Sequence, residues 1–269
     1  MDYKKIVSNF VGYYGQDFNV DTMQTYYDKT KPITKPIYSN SIPSYINNND
    51  LCLAFYDGKD IKILPLNIMF IRRIVHDVIY INNKKVKISI TYSPLTGSPI
   101  IYEGLWKFSG VLYNNNDVLA MGNNLLIQIL GVIVSGDQIG IMPERWSVIL
   151  IPFNKIYTPE CLILQGEIND EYNYSENLYK KYIENEYIKY PIDKLSNEYN
   201  KKELVYVVNN LNKKLSRSNK KNIFVIIDKK SLKNKKEIKY KKEINTYILD
   251  KNKFIIPMYY FASYAFYTL

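Results

Sequence analysis

The chain has 269 residues, enough for one large domain or two small ones, and its 46% apolar content excludes wholesale disorder. One His and two Cys exclude a His-rich metal centre, a zinc cluster and a disulfide framework. The net charge of +10 is uneven: residues 201–253 hold 17 Lys/Arg against 5 Asp/Glu, so that block carries +12 and the remainder −2.

Residues 1–50 read as an irregular N-terminal arm. Asp21 is placed to cap a short helix through Tyr27, and Pro32, Pro36 and Pro43 punctuate an extended stretch before an Asn47–Asp50 loop. From Leu51 strand signals dominate, and residues 51–166 form a first β unit. LCLAFY ends in an Asp57-Gly58 turn and makes a hairpin with KIL, while Leu66 to Ile74 has helical spacing. VIYINNKKVKISITY reads as two strands joined by Asn82-Asn83, and residues 99–113 as a further hairpin. LLIQILGVIV and IGIMPERWSVILIPF flank a turn at Ser135-Gly136-Asp137.

Residues 167–202 change character: acidic, rich in tyrosine, with Ser175 placed to cap a helix carrying Leu178, Tyr182 and Ile183 on one face. This is read as a bridge to a second β unit at 203–269. There ELVYVVNN parallels LCLAFYDG, NIFVIIDKKS parallels ISITYSPLTG, and FIIPMYYFASYAF parallels GIMPERWSVILIPF, in the same order. The expected fold is therefore mainly β with short helices (α+β), an internally duplicated β unit whose second copy is shortened.

No Walker loop, GxGxxG, GxSxG or HExxH is present. The first residues lack an apolar run of signal-peptide length. The apolar stretch Phe254–Leu269 is shorter than the ~20 residues a bilayer span needs and contains Pro257, so it is expected to pack rather than to insert. An intracellular or virion location is favoured.

Several strings resemble a bacterial and archaeal family, domain-of-unknown-function family 3179. They are Leu64-Pro65-Leu66, Ile74-Val75-His76-Asp77, Thr91-Tyr92-Ser93-Pro94-Leu95-Thr96-Gly97-Ser98, Ser109-Gly110-Val111-Leu112-Tyr113-Asn114-Asn115-Asn116, then Gln128 and Gly131. The family pattern has a His-Glu pair where this chain has Arg72-Arg73, and two cysteines three apart where it has Ser93 and Thr96. Hydroxyls are poor soft-metal ligands with far too high a pKa for thiolate work, and a guanidinium has no lone pair to give. The resemblance thus implies that any metal or thiol chemistry of the family is lost here, and neither a cofactor nor a metal is expected.

The favoured function is a non-catalytic structural or interaction protein, a component of a viral particle, whose partners are other protein chains in an assembly. Tyrosine enrichment, 27 residues, suits interfaces because the ring offers a large amphipathic surface with few rotamers. One alternative is a small-ligand binder or enzyme with a rearranged pocket near Asp77, Ser93, Asn114 and Gln128. For Asp77 and Gln128, a turn cap and a backbone-satisfying role compete with that reading, and Asn114 also suits a tight turn. Arg72 and Arg73 could grip an anion, complement a helix C-terminus, or be solvated charge. A second alternative is a nucleic-acid-associated protein acting through the basic block, with Lys213, Lys214, Lys235 and Lys236 as contacts. Lys-rich strand edges that discourage pairing explain the same charge.

Overall fold

The computed structural model describes residues 24–25, 31–167, 172–192, 195–197, 199–210, 223–227, 238–241, 246–249 and 253–267. The protein is mainly β. A first sheet orders β1 (Gln24–Thr25), β8 (Lys107–Tyr113), β9 (Asn116–Met121), β10 (Asn124–Ile127) and β11 (Val132–Ser135). A second orders β12 (Arg145–Trp146), β7 (Ser98–Glu103), β6 (Lys84–Ser93) and β5 (Ile74–Ile81). The third contains β13 (Ile149–Pro152), β3 (Leu51–Tyr56), β4 (Ile61–Pro65), β14 (Leu162–Glu167) and β2 (Pro36–Ser39). Near the C-terminus β16 (Ile223–Ile227), β15 (Leu204–Asn210) and β19 (Lys253–Tyr259) form a three-stranded sheet, and β17 (Ile238–Lys241) pairs with β18 (Thr246–Leu249). Among the described residues four short helices accompany them: α1 (Leu66–Arg72), α2 (Phe153–Ile156), α3 (Lys180–Glu184) and α4 (Tyr260–Tyr267).

Local chemistry accounts for much of this path. The β5–β6 hairpin turns at Asn82 and Asn83, whose φ angles of 49° and 61° are the left-handed pair a two-residue turn of matching twist requires. Asn114 and Asn115, at 46° and 64°, do the same between β8 and β9. Asparagine, short and polar, adopts this conformation at less cost than other residues with a Cβ. Helix α1 buries every residue except Asn67 and stops where Arg73 turns left-handed, its N–H capping Met69 O.

Five sequence expectations change. Residues 99–113 are not a hairpin: β7 pairs with β6 and β12, while β8 pairs with β1 and β9, because buried Trp106 carries the chain from one sheet to the next. LLIQILGVIV is broken at residues 128–131 into the β10–β11 hairpin, with Gly131 at φ 68°. Gln24–Thr25 is a strand on β8, not part of a helix, and β2 belongs to the third sheet rather than to a loose arm. Helix α3 begins five residues after Ser175, whose hydroxyl goes instead to Asn173 Oδ1 at 2.6 Å.

Val205, Val207, Ile256, Met258 and Phe261 share one core cluster with Trp106, Leu119, Leu126 and Ile133, so the C-terminal strands and α4 pack into the body. Thr96 O accepts the Tyr259 N–H at 2.8 Å, fixing β19 to the 94–97 turn. Among the described residues no helix is long and apolar enough to cross a membrane.

Gly97, at φ 64°, lies directly against this C-terminal strand, since a Cβ there would stand 2.9 Å from the Tyr259 ring. Gly97→Ala is expected to cost about 1–3 kcal/mol through strain and displacement of that ring. Urea denaturation reads the cost, and an unchanged midpoint would rule out this close packing.

Candidate functional site

Strand β6 explains why polar groups gather in the interior. Its sequence alternates Ile88, Ile90 and Tyr92 with Ser89, Thr91 and Ser93, and in a strand alternate residues face opposite sides. The apolar set enters one core cluster. The hydroxyl set is also buried, so this face cannot use water and must find protein partners. Ser89 donates to Gly104 O and Thr91 to Ile100 O, each at 2.8 Å. Ser93 Oγ accepts the Asp117 N–H at 3.3 Å.

Beside this stripe lies a closed hydroxyl–amide network. Ser93, Thr96, Ser98, Asn116 and Gln128 are all 0% exposed. Gln128 Oε1 accepts from Ser98 Oγ (2.9 Å) and Asn116 Nδ2 (2.8 Å), while its Nε2 donates to Thr91 Oγ1 (3.1 Å) and Ser98 O (2.9 Å). A primary amide offers two acceptor and two donor sites, so Gln128 is saturated. Asn116 Nδ2 also reaches Thr96 Oγ1 (3.0 Å) and Ser98 Oγ (3.3 Å), and its Oδ1 accepts the Ile129 N–H at 2.8 Å. Thr96 and Ser98 hydroxyls are 2.8 Å apart. Since Ser98 gives its one proton to Gln128, Thr96 is the donor to Ser98. Ser93 and Thr96 occupy the positions where the resemblance sets cysteines.

The two arginines are buried and point to different partners. Arg73 Nη1 lies 3.3 Å from Asp117 Oδ1, and its Nη2 donates to the Tyr179 hydroxyl at 2.6 Å. Arg72 Nη2 meets Glu167 Oε2 at 2.8 Å, and its Nε donates to Lys31 O at 2.9 Å. Burial pushes the Glu167 carboxyl up, yet the backbone N–H groups of Thr34 and Lys35, the Thr34 hydroxyl and Arg72 together bring it below its ordinary value. Neither guanidinium is solvated surface charge.

Asp77 does not join Ser93 and Gln128. It belongs to a separate group, half-buried at Asp77 and Tyr38 and buried at Asp57 and Lys62, in which Lys62 Nζ bridges Asp77 Oδ2 (2.8 Å) and Asp57 Oδ2 (3.0 Å), and Tyr38 donates to Asp77 Oδ2 at 2.7 Å. Burial, then Asp77, raises the Tyr38 phenol well above its usual range. This group ties β2 and β4 of the third sheet to β5 of the second. The expected pocket of Asp77, Ser93, Asn114 and Gln128 is therefore divided: Gln128 sits in the interior network, Ser93 lies buried beside it and takes the Asp117 N–H, Asn114 is buried at the β8–β9 turn, and Asp77 bonds elsewhere. Lys213, Lys214, Lys235 and Lys236 lie outside the described residues.

His76 is buried, with Nε2 2.7 Å from Trp106 O. Cys52 and Cys161 share a small apolar cluster, and burial, reinforced by Cys161, pushes the Cys52 thiol up to about 12. Such a thiol stays protonated and unreactive at neutral pH. Among the described residues no group of three or more His, Cys, Asp or Glu is placed to hold a metal ion.

The Arg73–Asp117 pair and the network escaped the sequence reading, although one signal was present. The Ser-x-Thr-x-Ser alternation of β6 ordinarily means a polar face toward solvent, and here that face is covered.

Two outcomes follow. Arg73→Met strands a buried carboxylate at Asp117 and is expected to destabilise by about 3–5 kcal/mol, while Arg73→Met with Asp117→Leu recovers most of the loss. Denaturant unfolding of the three proteins tests this, and equal losses in the single and double variants would contradict the pairing. Burial, the largest influence, lowers the His76 pKa from 6.5. The unfolded chain therefore binds the extra proton first. His76 thus contributes stability that is full above pH 6.5 and declines as pH falls below it toward the folded value. The acid slope of unfolding free energy between pH 6.5 and 5 should flatten in His76→Gln, and an unaltered slope would exclude this role.

Comparison with curated proteins and with solved structures returns no match. The family model described as "Protein of unknown function (DUF3179)" matches residues 28–259. That span takes in the β6–β7 hydroxyl turn, the Asn114–Asn116 turn and Gln128, and on it the chain belongs to the DUF3179 family.

Proposed function

We propose that this chain is a non-catalytic structural or interaction protein that works as a component of an assembly, a viral particle being the setting we favour. One observation carries the reading. The hydroxyls of Ser93 and Thr96, where the resemblance sets reactive thiols, have no exposure and are committed to internal hydrogen bonds. A reactive centre needs a group that substrate can reach and whose bonding can change, whereas this one stabilises the junction of two sheets. The outside supports the same reading: Tyr187, Leu178, Tyr56 and Ile141 are all more than half exposed. Exposed aromatic and aliphatic side chains of this kind suit protein contacts.

We also read the C-terminal strands as a contracted copy of the earlier unit. β15 pairs antiparallel with β19, which runs directly into α4, as β3 pairs antiparallel with β13, which runs directly into α2. The remaining correspondence lacks this support, because β16 pairs with β15 whereas β6 pairs with β5 and β7.

Native isolation from the source, with sizing and mass spectrometry of what co-purifies, tests the function. The chain is expected within a multi-protein assembly and without a tightly held small molecule. A monomer carrying a stoichiometric metal or small ligand would overturn the proposal.

A further inference from the structure

Residues 172–192 run across the elements just described without adding a strand to any sheet. Several of their contacts fall on or beside the family-motif segments. The Tyr179 hydroxyl accepts from Arg73, and its ring stacks on Phe70 at 5.4 Å. The Tyr182 hydroxyl donates to Leu95 O at 2.8 Å, and Tyr190 exchanges two 2.9 Å hydrogen bonds with the Asn115 side chain. Lys202, from the lead into β15, donates to Tyr182 O and lies over the Tyr182 ring.

The attachment is graded along the segment. Tyr174 is buried, packs with Tyr45 at 6.2 Å, and its carbonyl accepts from Asn67 Nδ2 at 3.0 Å. Beyond it no residue from 175 to 192 is buried, and helix α3 has no buried residue at all. By contrast Arg73, Leu95 and Asn115, which this stretch touches, are all buried. Tyr179, Tyr182, Ile183, Ile188 and Ile192 are only half-buried where they pack against the two core clusters, so separating the segment breaks partial apolar contacts and a few polar ones but no strand pairing, the pattern of a segment that opens locally.

We propose that residues 175–192 form a movable strap, rooted at Tyr174, that closes over Arg73 and the 93–98 turn and lifts as a unit while the sheets beneath stay paired. The hydroxyls of Tyr179 and Tyr182 are its clasps. Lifting it would bring the Arg73–Asp117 pair and the Leu95 carbonyl to solvent, making this the face by which the motif region could be reached. The inference stands apart from the structural role above, since an inert interior can lie beneath a movable cover.

Hydrogen exchange followed by mass spectrometry on the full chain tests it, comparing wild type with Tyr179→Phe/Tyr182→Phe. This variant keeps both rings and removes only the two clasping hydroxyls. Amides of 175–192 and of 93–98 should exchange about tenfold faster or more, with the amides of β5 and of β6 before Ser93 unchanged. Acceleration of β5 and β6 together with the strap would show that the strap does not open independently. No acceleration, or acceleration of the strap without 93–98, would show that it is not the cover, and either result overturns the proposal. A chemical readout accompanies it: Ser93→Cys in the two backgrounds, labelled with iodoacetamide, with buried Cys52 and Cys161 as internal controls. The new thiol should label faster in the double variant while the two native thiols do not. Equal rates at all three thiols would mean global unfolding and count against the strap. Should Ser93→Cys fail to fold, the exchange measurement decides alone.

Discussion

A hydroxyl or amide removed from water must find its hydrogen-bond partners inside the protein or destabilise it by roughly 1–3 kcal/mol per unmet group. Strand β6 places three hydroxyls on a covered face, and the surrounding architecture can be read as the response. The β6–β7 turn brings Thr96 and Ser98 alongside, the Asn114-Asn115 turn aims Asn116 inward, and the broken β10–β11 run delivers Gln128. Each of these three departures from regular strand supplies a donor or acceptor to this layer. The layer joins the first sheet to the second, and β19 adds its own tie through the Thr96 carbonyl.

Buried charge does the same work between other elements. Arg72 and Arg73 are adjacent in sequence, yet the left-handed backbone at Arg73 sends them apart, one to the end of β14 and the other to β9. Lys62, held between Asp57 and Asp77, joins the third sheet to the second. Where both partners are buried, as in Arg73–Asp117 and Lys62–Asp57, a pair gains little over an apolar equivalent, but losing one partner is costly, so it specifies which elements meet more than it raises stability. The positions at which reactive groups would be sought are thus taken up by contacts that hold the sheets in register.

Much of the fold was legible because it rests on local rules. Leu51–Tyr56, the Asn82-Asn83 turn, helix α1 and the Asn114–Asn116 turn all follow from hydrophobic periodicity and from asparagine's tolerance of positive φ. The site was less legible because it rests on non-local burial. Ser89, Thr91 and Ser93 look like a solvent face until another sheet covers them. Asp77 looks like a neighbour of Ser93 in a motif, but Asp77 pairs in register with Ile88, and its side chain bonds Lys62 and Tyr38. Arg73 gave no sign of burial because its partner Asp117 is 44 residues away. Family membership, by contrast, was carried by contiguous strings and needed no tertiary information.

The junction of the first and second sheets depends on a hydroxyl–amide layer that is sealed and internally satisfied. Solvent exchange of the Asn116 and Gln128 side-chain amide protons, followed by NMR, addresses this directly. Both groups should exchange at least about a hundredfold more slowly than the side-chain amide of a solvated asparagine, since release requires local opening. Exchange at the solvated rate would mean that water reaches the layer, and the view of this region as a structural junction would fail.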